Sequence, residues 1–265
     1  MTTAHLGTAL ITGASTGIGA LYAERLARRG YDLILVARNR ERLNELAMRL
    51  TSETRRNVEV VAADLGNSNE LASVERKLRE DASITLLVNN AGIGTHTPLL
   101  GSDVERMGEM IALNVTALTR LTYAAVPGFV ARQQGAIINI SSIVSLAPEL
   151  LNGVYGASKA YVTAFTRSLH RELSEQGIRI QAVLPGATAT DFWATGGLPV
   201  ENLDPAIVMA APDLVDAALQ DFDAGVLFSI PSMHDLETFE AFESSRQALL
   251  PQLSSNRLAP RYNAN

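Results

Sequence analysis

A tyrosine and a lysine stand four residues apart in the stretch "VYGASKAY", which runs from 154 to 161. On a helix, Tyr155 and Lys159 would lie on one face, because residues at i and i+4 are neighbours there. The chain has 22 lysine and arginine residues, but its only lysines are Lys77 and Lys159. An ammonium is a compact charge whose pKa can be shifted, whereas a guanidinium is planar and stays charged. The pair is therefore a candidate for proton-transfer chemistry, although a chance pair on an exposed helix has the same spacing.

A glycine-rich turn near the N-terminus is a second candidate site. It joins an apolar, strand-like run at 8–12 to a helical pattern at 17–29 and reads T-G-x-x-x-G-x-G. Glycines at such a turn let the backbone approach a pyrophosphate, whose charge the N–H groups of the helix N-terminus stabilise. In the first strand–helix unit of the chain, this pattern favours a nucleotide site over an ordinary turn that needs positive φ. The candidate contacts are Gly13, Ser15, Thr16, Gly17, Ile18 and Gly19.

The end of the second predicted strand indicates which nucleotide is bound. NAD sites usually place an acidic residue there for the ribose hydroxyls. In "LVARNRERL" that position is occupied by Ala37, and Arg38 follows it. An arginine can pair with the 2′-phosphate of NADP, and no acid is present to repel that phosphate. This chemistry predicts a preference for NADP(H), with NAD as the alternative cofactor. The other interpretation of Arg38 is that it simply begins the charged helix that follows.

Short apolar runs alternate with helical patterns along most of the chain. Such near-continuous apolar strands predict a parallel sheet that helices cover on both faces. The predicted fold class is therefore α/β, a doubly wound, Rossmann-type sheet of about seven parallel strands. The pattern predicts a single domain, 1–265, with a substrate lid at about 187–203 and a C-terminal helix and tail at about 232–265. Strands are predicted at 8–12, 32–37, 58–65, 84–90, 135–141, 178–186 and 225–231, and helices at 17–29, 39–50, 68–80, 103–132, 153–176 and 232–250.

The composition argues against several classes of function. A net charge of −6 disfavours nucleic acid or an anionic membrane as a partner. The chain has no cysteine, so disulfides, thiol catalysis and cysteine metal sites are excluded. The sequence shows no signal-peptide pattern and no apolar run near the ~20 residues that span a bilayer. We therefore expect a soluble, cytoplasmic protein without a bound metal. Its histidines, which lack metal-ligand spacing, are His5, His96, His170 and His234.

Five motifs in a fixed order make the chain resemble a short-chain dehydrogenase/reductase. They are "TGASTGIG" (12–19), "NNAG" (89–92), "NISS" (139–142), "YGASK" (155–159) and "PGATAT" (185–190). The resemblance covers roughly 6–190 and implies a Rossmann-type enzyme that transfers a hydride between a nicotinamide cofactor and a carbonyl/alcohol pair. The catalytic residues that it implies are Asn114, Ser142, Tyr155 and Lys159. The further cofactor contacts that it implies are Asp64, Leu65, Asn90, Ala91, Gly92, Pro185, Gly186, Thr188 and Thr190.

The implied roles fit the chemistry of a carbonyl reduction. Hydride transfer to a ketone leaves an alkoxide that must be protonated, and Tyr155 would be the general acid/base. Its ordinary pKa of ~10 would have to fall by about three units, roughly 4 kcal/mol, under the influence of Lys159 and the positive nicotinamide. Lys159 would also hold the nicotinamide ribose. Ser142 would orient the substrate oxygen, Asn114 would position a water in a proton relay, and Asp64 and Leu65 would contact the adenine.

Three segments are expected to surround the reacting carbon, namely 92–100, 142–153 and 190–203. They are mostly apolar and contain no lysine or arginine, which favours a neutral, hydrophobic carbonyl or alcohol as the substrate. Phe192 and Trp193 are expected to pack over that substrate as part of the lid. An NAD-dependent alcohol dehydrogenase of the same fold is one alternative. A nucleotide-sensing binding module without turnover is an alternative from a different class.

A homodimer or homotetramer is expected, because the helical patterns at 103–132 and 155–176 carry more apolar residues than one face of a sheet can cover. The family resemblance also implies dimer faces on these two helices. The residues expected at the interface are Met107, Met110, Leu118, Leu121, Val162 and Phe165.

Overall fold

The computed structural model of the chain describes residues 6–262, so the predictions for His5 and for 263–265 lie outside the described residues. The described residues form two compact units, of which the first ends at Pro231 and the second begins at Ser232. The predicted C-terminal helix and tail belong to the second unit, and the other predicted elements belong to the first.

A parallel sheet lies at the centre of the first unit. Within the described residues its strands are β1 (Thr8–Thr12), β2 (Asp32–Ala37), β3 (Val58–Ala62), β4 (Ile84–Asn89), β5 (Gly135–Ile140), β6 (Ile178–Val183) and β7 (Phe228–Ser229). Their order is β3-β2-β1-β4-β5-β6-β7, and all the pairs are parallel. The predicted doubly wound α/β fold is therefore confirmed. The strand order reverses between β1 and β4, and sheets of this kind bind ligands at the carboxyl ends of the strands at that point.

Helices cover both faces of this sheet. In the described residues they are α1 (Gly17–Arg29), α2 (Arg40–Thr54), α3 (Ser68–Glu80), α4 (Val104–Ile111), α5 (Leu118–Arg132), α6 (Gly153–Leu173), α7 (Phe192–Thr195), α8 (Ala211–Asp223) and, in the second unit, α9 (Leu236–Ala248). One apolar cluster packs α1, α2 and α8 on one face, through residues such as Leu26 and Leu219. Another packs α3, α5 and α6 on the opposite face, through residues such as Val74 and Leu169.

The helix predicted at 103–132 is not continuous. It consists of α4, a π-helical turn at Ala112–Ala117 and α5. A π-helical turn inserts extra backbone into an α-helix and occurs mainly at functional sites. The turn carries Asn114, one of the residues that the family resemblance marks as catalytic.

Several boundaries also differ from the predictions. The strands predicted to end at 65 and 186 end at Ala62 and Val183, because the residues that follow leave the ladder to form loops at the carboxyl edge of the sheet. The last strand has two residues rather than the predicted seven, since Gly225 begins a turn at φ 76°. Helix α8 was not predicted, although Pro212 lies in its first turn and its buried residues recur three to four apart.

The expected interface residues are mostly covered within the subunit, so the expectation about them is wrong in detail. Met110, Leu118, Leu121 and Val162 are all buried against neighbouring helices and strands, which leaves no apolar surface on them for a partner. Apolar side chains that remain exposed on α5 and α6 include Tyr123 and Tyr161. These two rings stack against the partly buried Phe165, with ring centroids 6.4 and 5.7 Å away.

The second unit consists of α9 and two short 3₁₀ turns at Leu250–Gln252 and Pro260–Tyr262. Asp235 caps α9 by accepting a hydrogen bond from the backbone N–H of Glu237. None of the residues of α9 is buried, and Phe242 is among its exposed apolar side chains. Across both units, the described helices are too short or too polar to cross a membrane.

Candidate active site

The glycine turn lies at the carboxyl end of β1 and opens helix α1. Gly13 and Gly17 adopt φ values of 66° and 55°, which L side chains rarely adopt. A Cβ on Gly13 would lie 2.7 Å from the Asn90 Nδ2, and a Cβ on Gly19 would clash with the carbonyl oxygen of Gly13. Thr16 is the N-cap of α1 but makes no side-chain cap bond, and the first turn holds no acidic residue. The first N–H groups of α1 are therefore free to bind a phosphate.

Two side chains join the ends of β1 and β4 beneath this turn. The hydroxyl of Thr12 accepts hydrogen bonds from the backbone N–H groups of Asn90 (2.9 Å) and Ala91 (3.0 Å). The amide of Asn90 in turn donates to the carbonyls of Thr12 (2.9 Å) and Gly13 (3.2 Å). Asn90 and Ala91 were expected at the cofactor, but Thr12 was not among the candidates. Its position in the quoted T-G-x-x-x-G-x-G pattern was the signal that marked it.

The adenosine end of the nucleotide site was expected at the end of β2. Ala37 is buried at the end of the strand, while Arg38 is exposed and has no hydrogen-bond or ion-pair partner within residues 6–262. Asp64 follows β3 closely, and its carboxylate accepts a hydrogen bond from the N–H of Gly66 (2.9 Å). The side chain of Leu65 is buried in the core, so the expected contact of this residue with adenine is left to its backbone.

Lys159 is buried on helix α6. Its Nζ donates to the carbonyl of Ile140 at the end of β5 (2.9 Å) and lies 5.9 Å from the centre of the Tyr155 ring. Burial lowers the pKa of Lys159 from 10.5 to about 8, which leaves it protonated at neutral pH. A Cβ on Gly92 would lie 3.5 Å from this ammonium, so the "NNAG" loop passes close to it.

Tyr155 is also buried, and Ser142 lies beside its hydroxyl. Burial raises the pKa of Tyr155 to about 12, and the nearby Ser142 hydroxyl opposes only part of that rise. The expected fall towards neutral pH is therefore not produced by these residues. The physical reason is that Lys159 lies over the ring and is bonded to a backbone carbonyl rather than to the tyrosine hydroxyl.

Two adjacent serines have different surroundings. The Ser142 hydroxyl donates to the carbonyl of Pro185 (3.3 Å) and accepts from the N–H of Val144 (3.3 Å). The Ser141 hydroxyl instead donates to the carbonyl of Lys159 (2.9 Å) and hydrogen-bonds to the Thr163 hydroxyl, away from the tyrosine. Of the two, Ser142 is the one placed beside Tyr155, as the sequence spacing predicts.

Asn114 is buried in the π-helical turn and its side chain is fully engaged. Its Oδ1 accepts from the N–H of Ile93 (2.9 Å), and its Nδ2 donates to the carbonyl of Ile93 (2.8 Å) and to the Ser158 hydroxyl (3.1 Å). These bonds fix the loop after β4 against helix α6. The water-positioning role was expected of Asn114, but the contacts of its side chain are with the protein.

The segment that follows β6 packs against the glycine turn and leads into the lid. The side chain of Thr190 would meet a Cβ on Gly17 at 3.3 Å, and the Thr188 hydroxyl donates to the carbonyl of Gly186 (3.0 Å). The indole Nε1 of Trp193 donates to the carbonyl of Thr188 (3.0 Å). The expected contacts 185–190 thus lie together at the carboxyl edge of the sheet.

An apolar cluster surrounds the ring of Tyr155. The Phe192 ring at the start of α7 lies 5.8 Å from it, centre to centre. Other members of the cluster are Ile93, Met107, Met110, Ile143, Val144, Leu151 and Val154. In the described part of the chain, no group of three or more histidine, aspartate or glutamate side chains is placed to hold a metal ion.

A parallel sheet of this order, with a glycine turn after β1 and the Tyr155–Lys159 pair at the neighbouring strand ends, defines a class of proteins, the Rossmann-type oxidoreductases. Comparison with known families then gives the family itself. The sequence profile described as short chain dehydrogenase matches residues 7–197, and the chain belongs to that family.

Two solved structures are similar over nearly the whole chain. One is a short-chain dehydrogenase from Sphingobium yanoikuyae in complex with NADPH, 47% identical, with a TM-score of 0.94 and coverage of 97% of this chain and 100% of that one. The other is the bulky-bulky ketone specific alcohol dehydrogenase from Comamonas testosteroni, 43% identical, with a TM-score of 0.90 and coverage of 98% and 99%.

A curated relative is similar over a shorter stretch. The very-long-chain 3-oxoacyl-CoA reductase of Anas platyrhynchos is 37% identical over 186 residues, or 69% of this chain. This chain spans 60% of the length of that reductase.

Buried Lys159 predicts a stability that depends on pH. Its folded pKa of about 8 lies below its ordinary 10.5, a difference worth about 3 kcal/mol, so the unfolded chain binds its proton more tightly. The penalty is complete below pH 8 and disappears as the pH rises towards 10.5. Lys159→Met should therefore have a higher Tm than the unmodified protein at pH 7, and the difference should shrink by pH 10. Thermal unfolding at both pH values measures it.

Lys77→Met is the matched control, since Lys77 lies on α3 and pairs with Glu59 (2.7 Å). It should lower the Tm slightly or leave it unchanged. A difference between Lys159→Met and the unmodified protein that is equal at pH 7 and pH 10 would contradict the buried-charge account.

Proposed function

We propose that the protein is an NADP(H)-dependent oxidoreductase that interconverts a neutral, bulky, hydrophobic ketone and its secondary alcohol. The observation that carries this proposal is the convergence of Tyr155, Ser142 and Lys159 at the carboxyl ends of β4 and β5, beside the glycine turn. A binding module without turnover has no use for a buried tyrosine, a serine and a buried ammonium at one point. Family membership agrees with the oxidoreductase class.

The residues at the glycine turn and the end of β2 fit NADP(H). Gly13 and Gly19 let the turn pack closely against Asn90, and the first turn of α1 carries no acidic residue that would repel a pyrophosphate. Arg38 has its guanidinium free for a 2′-phosphate, and Ala37 brings no negative charge. The similar protein from Sphingobium yanoikuyae binds NADPH, which supports the same choice here.

The catalytic task of this chain's own residues is the transfer of one proton to the substrate oxygen. NADPH, when bound, supplies the hydride. Tyr155 is protonated at neutral pH, because burial raises its pKa, and its hydroxyl gives the proton that the alcohol oxygen needs. Ser142 lies beside that hydroxyl and orients the substrate oxygen there. Lys159, still charged at neutral pH, stabilises the tyrosinate that remains and holds the ribose. Asn114 fixes the loop after β4 by two hydrogen bonds to Ile93, and so holds the groups of the site in position.

The surroundings of Tyr155 support a neutral and hydrophobic substrate. The cluster around its ring is apolar, and the three nearby segments carry Glu149, Asp191 and Glu201 but no lysine or arginine. A coenzyme A thioester, the substrate class in the name of the Anas platyrhynchos reductase, carries several phosphates, and these three segments offer it no lysine or arginine of their own. The guanidinium of Arg42 approaches one of them but already faces the carboxylate of Asp191 (3.8 Å). A ketone with two large substituents, the class for which the Comamonas testosteroni enzyme is specific, needs no cation.

A panel of ketones and alcohols, assayed with NADPH, NADP, NADH and NAD, tests the proposal. Turnover of neutral bulky ketones with NADPH is the expected result. Turnover with NADH alone would favour the NAD-dependent alternative. Tight nucleotide binding with no turnover of any ketone or alcohol would favour the binding module.

Arg38→Ala should weaken NADPH binding roughly ten- to a hundredfold, because a charge-assisted hydrogen bond contributes ~1.5–3 kcal/mol. NADH binding should hardly change, since NADH lacks the 2′-phosphate. Dissociation constants for both nucleotides, measured by titration, give the result. Arg171→Ala is the control, because Arg171 is exposed in the last turn of α6. Equal affinity of the unmodified protein for NADPH and NADH would refute the role of Arg38.

Tyr155→Phe should be the most harmful single change, since it removes the proton donor and general acid/base catalysis contributes ~10²–10⁴ in rate. Lys159→Arg should cost roughly thirtyfold or more, because a guanidinium spreads its charge and is larger than the ammonium beside Gly92. Lys77→Arg, which keeps the ion pair with Glu59, should be silent. Turnover with NADPH and Tm are measured together. Unimpaired turnover in Lys159→Arg would show that the ammonium is not needed.

We also propose that the protein forms a homodimer or homotetramer through the exposed rings on α5 and α6. Tyr123 is 71% exposed, although its ring stacks on that of Phe165. Contiguous exposed apolar surface of this kind marks sites of protein–protein contact. Tyr123→Glu should shift the mass measured by light scattering at micromolar concentration towards the monomer. Met48→Glu, on an exposed residue of α2, is the control and should change nothing. A monomeric unmodified protein would contradict the proposal.

A further inference from the structure

The lid is held against the loop after β4 by contacts that involve few side chains. A Cβ on Gly196 would lie 3.1 Å from the carbonyl oxygen of Gly94, so the two backbones approach closely. The Nδ1 of His96 hydrogen-bonds to the carbonyl of Gly196 (3.1 Å), and therefore acts as the donor. Gly197, at φ 87°, turns the chain beside the same imidazole. The start of the lid is fixed separately by the bond from Trp193 to Thr188.

The ring of Phe192, in the lid, lies directly against Gly94. A Cβ on Gly94 would lie 2.5 Å from the Cζ of Phe192 and 3.1 Å from the Cε2 of Tyr155. The Phe192 ring thus occupies the space that any other residue at 94 would fill, and it lies next to the tyrosine ring there. The φ of Gly94 is outside the left-handed region, so the backbone conformation there does not exclude a side chain. The close contacts of its Cβ position do, because they leave no space for one.

We propose that the Phe192 ring, seated on Gly94, is the wall that limits the smaller substituent of the ketone, and that His96 is a positioning residue that holds this wall in place. The inference rests on the proposed function and names the residues that set substrate size. The ring lies beside the tyrosine whose hydroxyl must reach the carbonyl oxygen, so a substituent on that side of the carbonyl meets the ring. The depth at which the ring sits is set by the missing side chain of Gly94.

The four straight-chain nonanones test the wall without changing substrate mass or formula. From 2-nonanone to 5-nonanone, the smaller substituent grows from methyl to butyl. The ratio of kcat/KM for 5-nonanone to that for 2-nonanone therefore reports the space beside Tyr155. Phe192→Ala should raise this ratio roughly tenfold or more, the range typical of added methylenes in a pocket. An unchanged ratio in Phe192→Ala would overturn the inference.

Gly94→Ala tests whether residue 94 acts through the ring. It should also change the ratio, because the new methyl group must displace Phe192, whose ring end can move more easily than backbone. In the Phe192→Ala background the same change should alter the ratio much less, since only the contact with the Cε2 of Tyr155 remains and both ketones react at that tyrosine. Such non-additivity identifies a coupled pair. Equal effects of Gly94→Ala in both backgrounds would show that Gly94 does not seat the ring. Gly108→Ala, where a Cβ would meet nothing within 4 Å, is the matched control.

His96→Ala should move the ratio in the same direction as Phe192→Ala, by a smaller factor, and should raise KM more than it lowers kcat. His170→Ala, on α6, controls for the loss of an imidazole. An unchanged ratio in His96→Ala would remove His96 from the proposal.

Binding of the same nonanones, followed through the emission of Trp193, is measured alongside turnover. Trp193 is the single tryptophan of the chain, and its ring meets that of Phe192 edge-on at 6.1 Å. Size-dependent binding that Phe192→Ala abolishes would support the wall even if no ketone is turned over, an outcome that would reject only the proposed function. Turnover with no size dependence in any variant would reject only the wall.

Discussion

The burial of one ammonium is the constraint on which the candidate site depends. Lys159 lies in the interior with no carboxylate beside it, and the carbonyl of Ile140 is its only direct partner within residues 6–262. A charge in such a place is costly, and its lowered pKa measures that cost. The cost is tolerated because α6 is tied to β5 and the residue after it by further hydrogen bonds, from Asn139 to Thr166 (2.9 Å) and between Ser141 and Thr163 (2.8 Å). The backbone at Ile140 and Gly92 and the ring of Tyr155 lie near the ammonium, and they leave its charge available to a neighbouring anion.

The loops around this ammonium are fixed by side chains that bond to backbone. Thr12 and Asn90 tie the glycine turn to the end of β4, and Asn114 ties the next residues of that loop to the π-helical turn. Each of these side chains makes at least two hydrogen bonds to the protein, which fixes the loops that carry them. These bonds fix the loops at the carboxyl edge of the sheet beneath the proposed cofactor site, and the lid, which has few anchoring contacts, packs against them.

The sequence predicted the parallel sheet with helices on both faces, and the meeting of Tyr155, Ser142 and Lys159, because strand composition and motif spacing record these features locally. It did not predict what depends on which loops meet in space. Gly94 and His96 carry no signal in the sequence. Their proposed roles depend on the position of the lid, because the Phe192 ring lies against Gly94 and the carbonyl of Gly196 accepts a hydrogen bond from His96. The raised pKa of Tyr155 also escaped prediction, because the depth of burial and the direction of the Lys159 side chain are three-dimensional properties.

The two edges of the sheet restrict how copies of this chain can associate. At one edge, β3 is a short strand whose Glu59 pairs with Lys77, and at the other β7 has only two residues. Exposed strand edges invite pairing with other chains, and short or charged edges discourage it. Growth of the sheet from one molecule into the next is therefore blocked at both ends, which protects a highly apolar set of strands from fibrillar assembly.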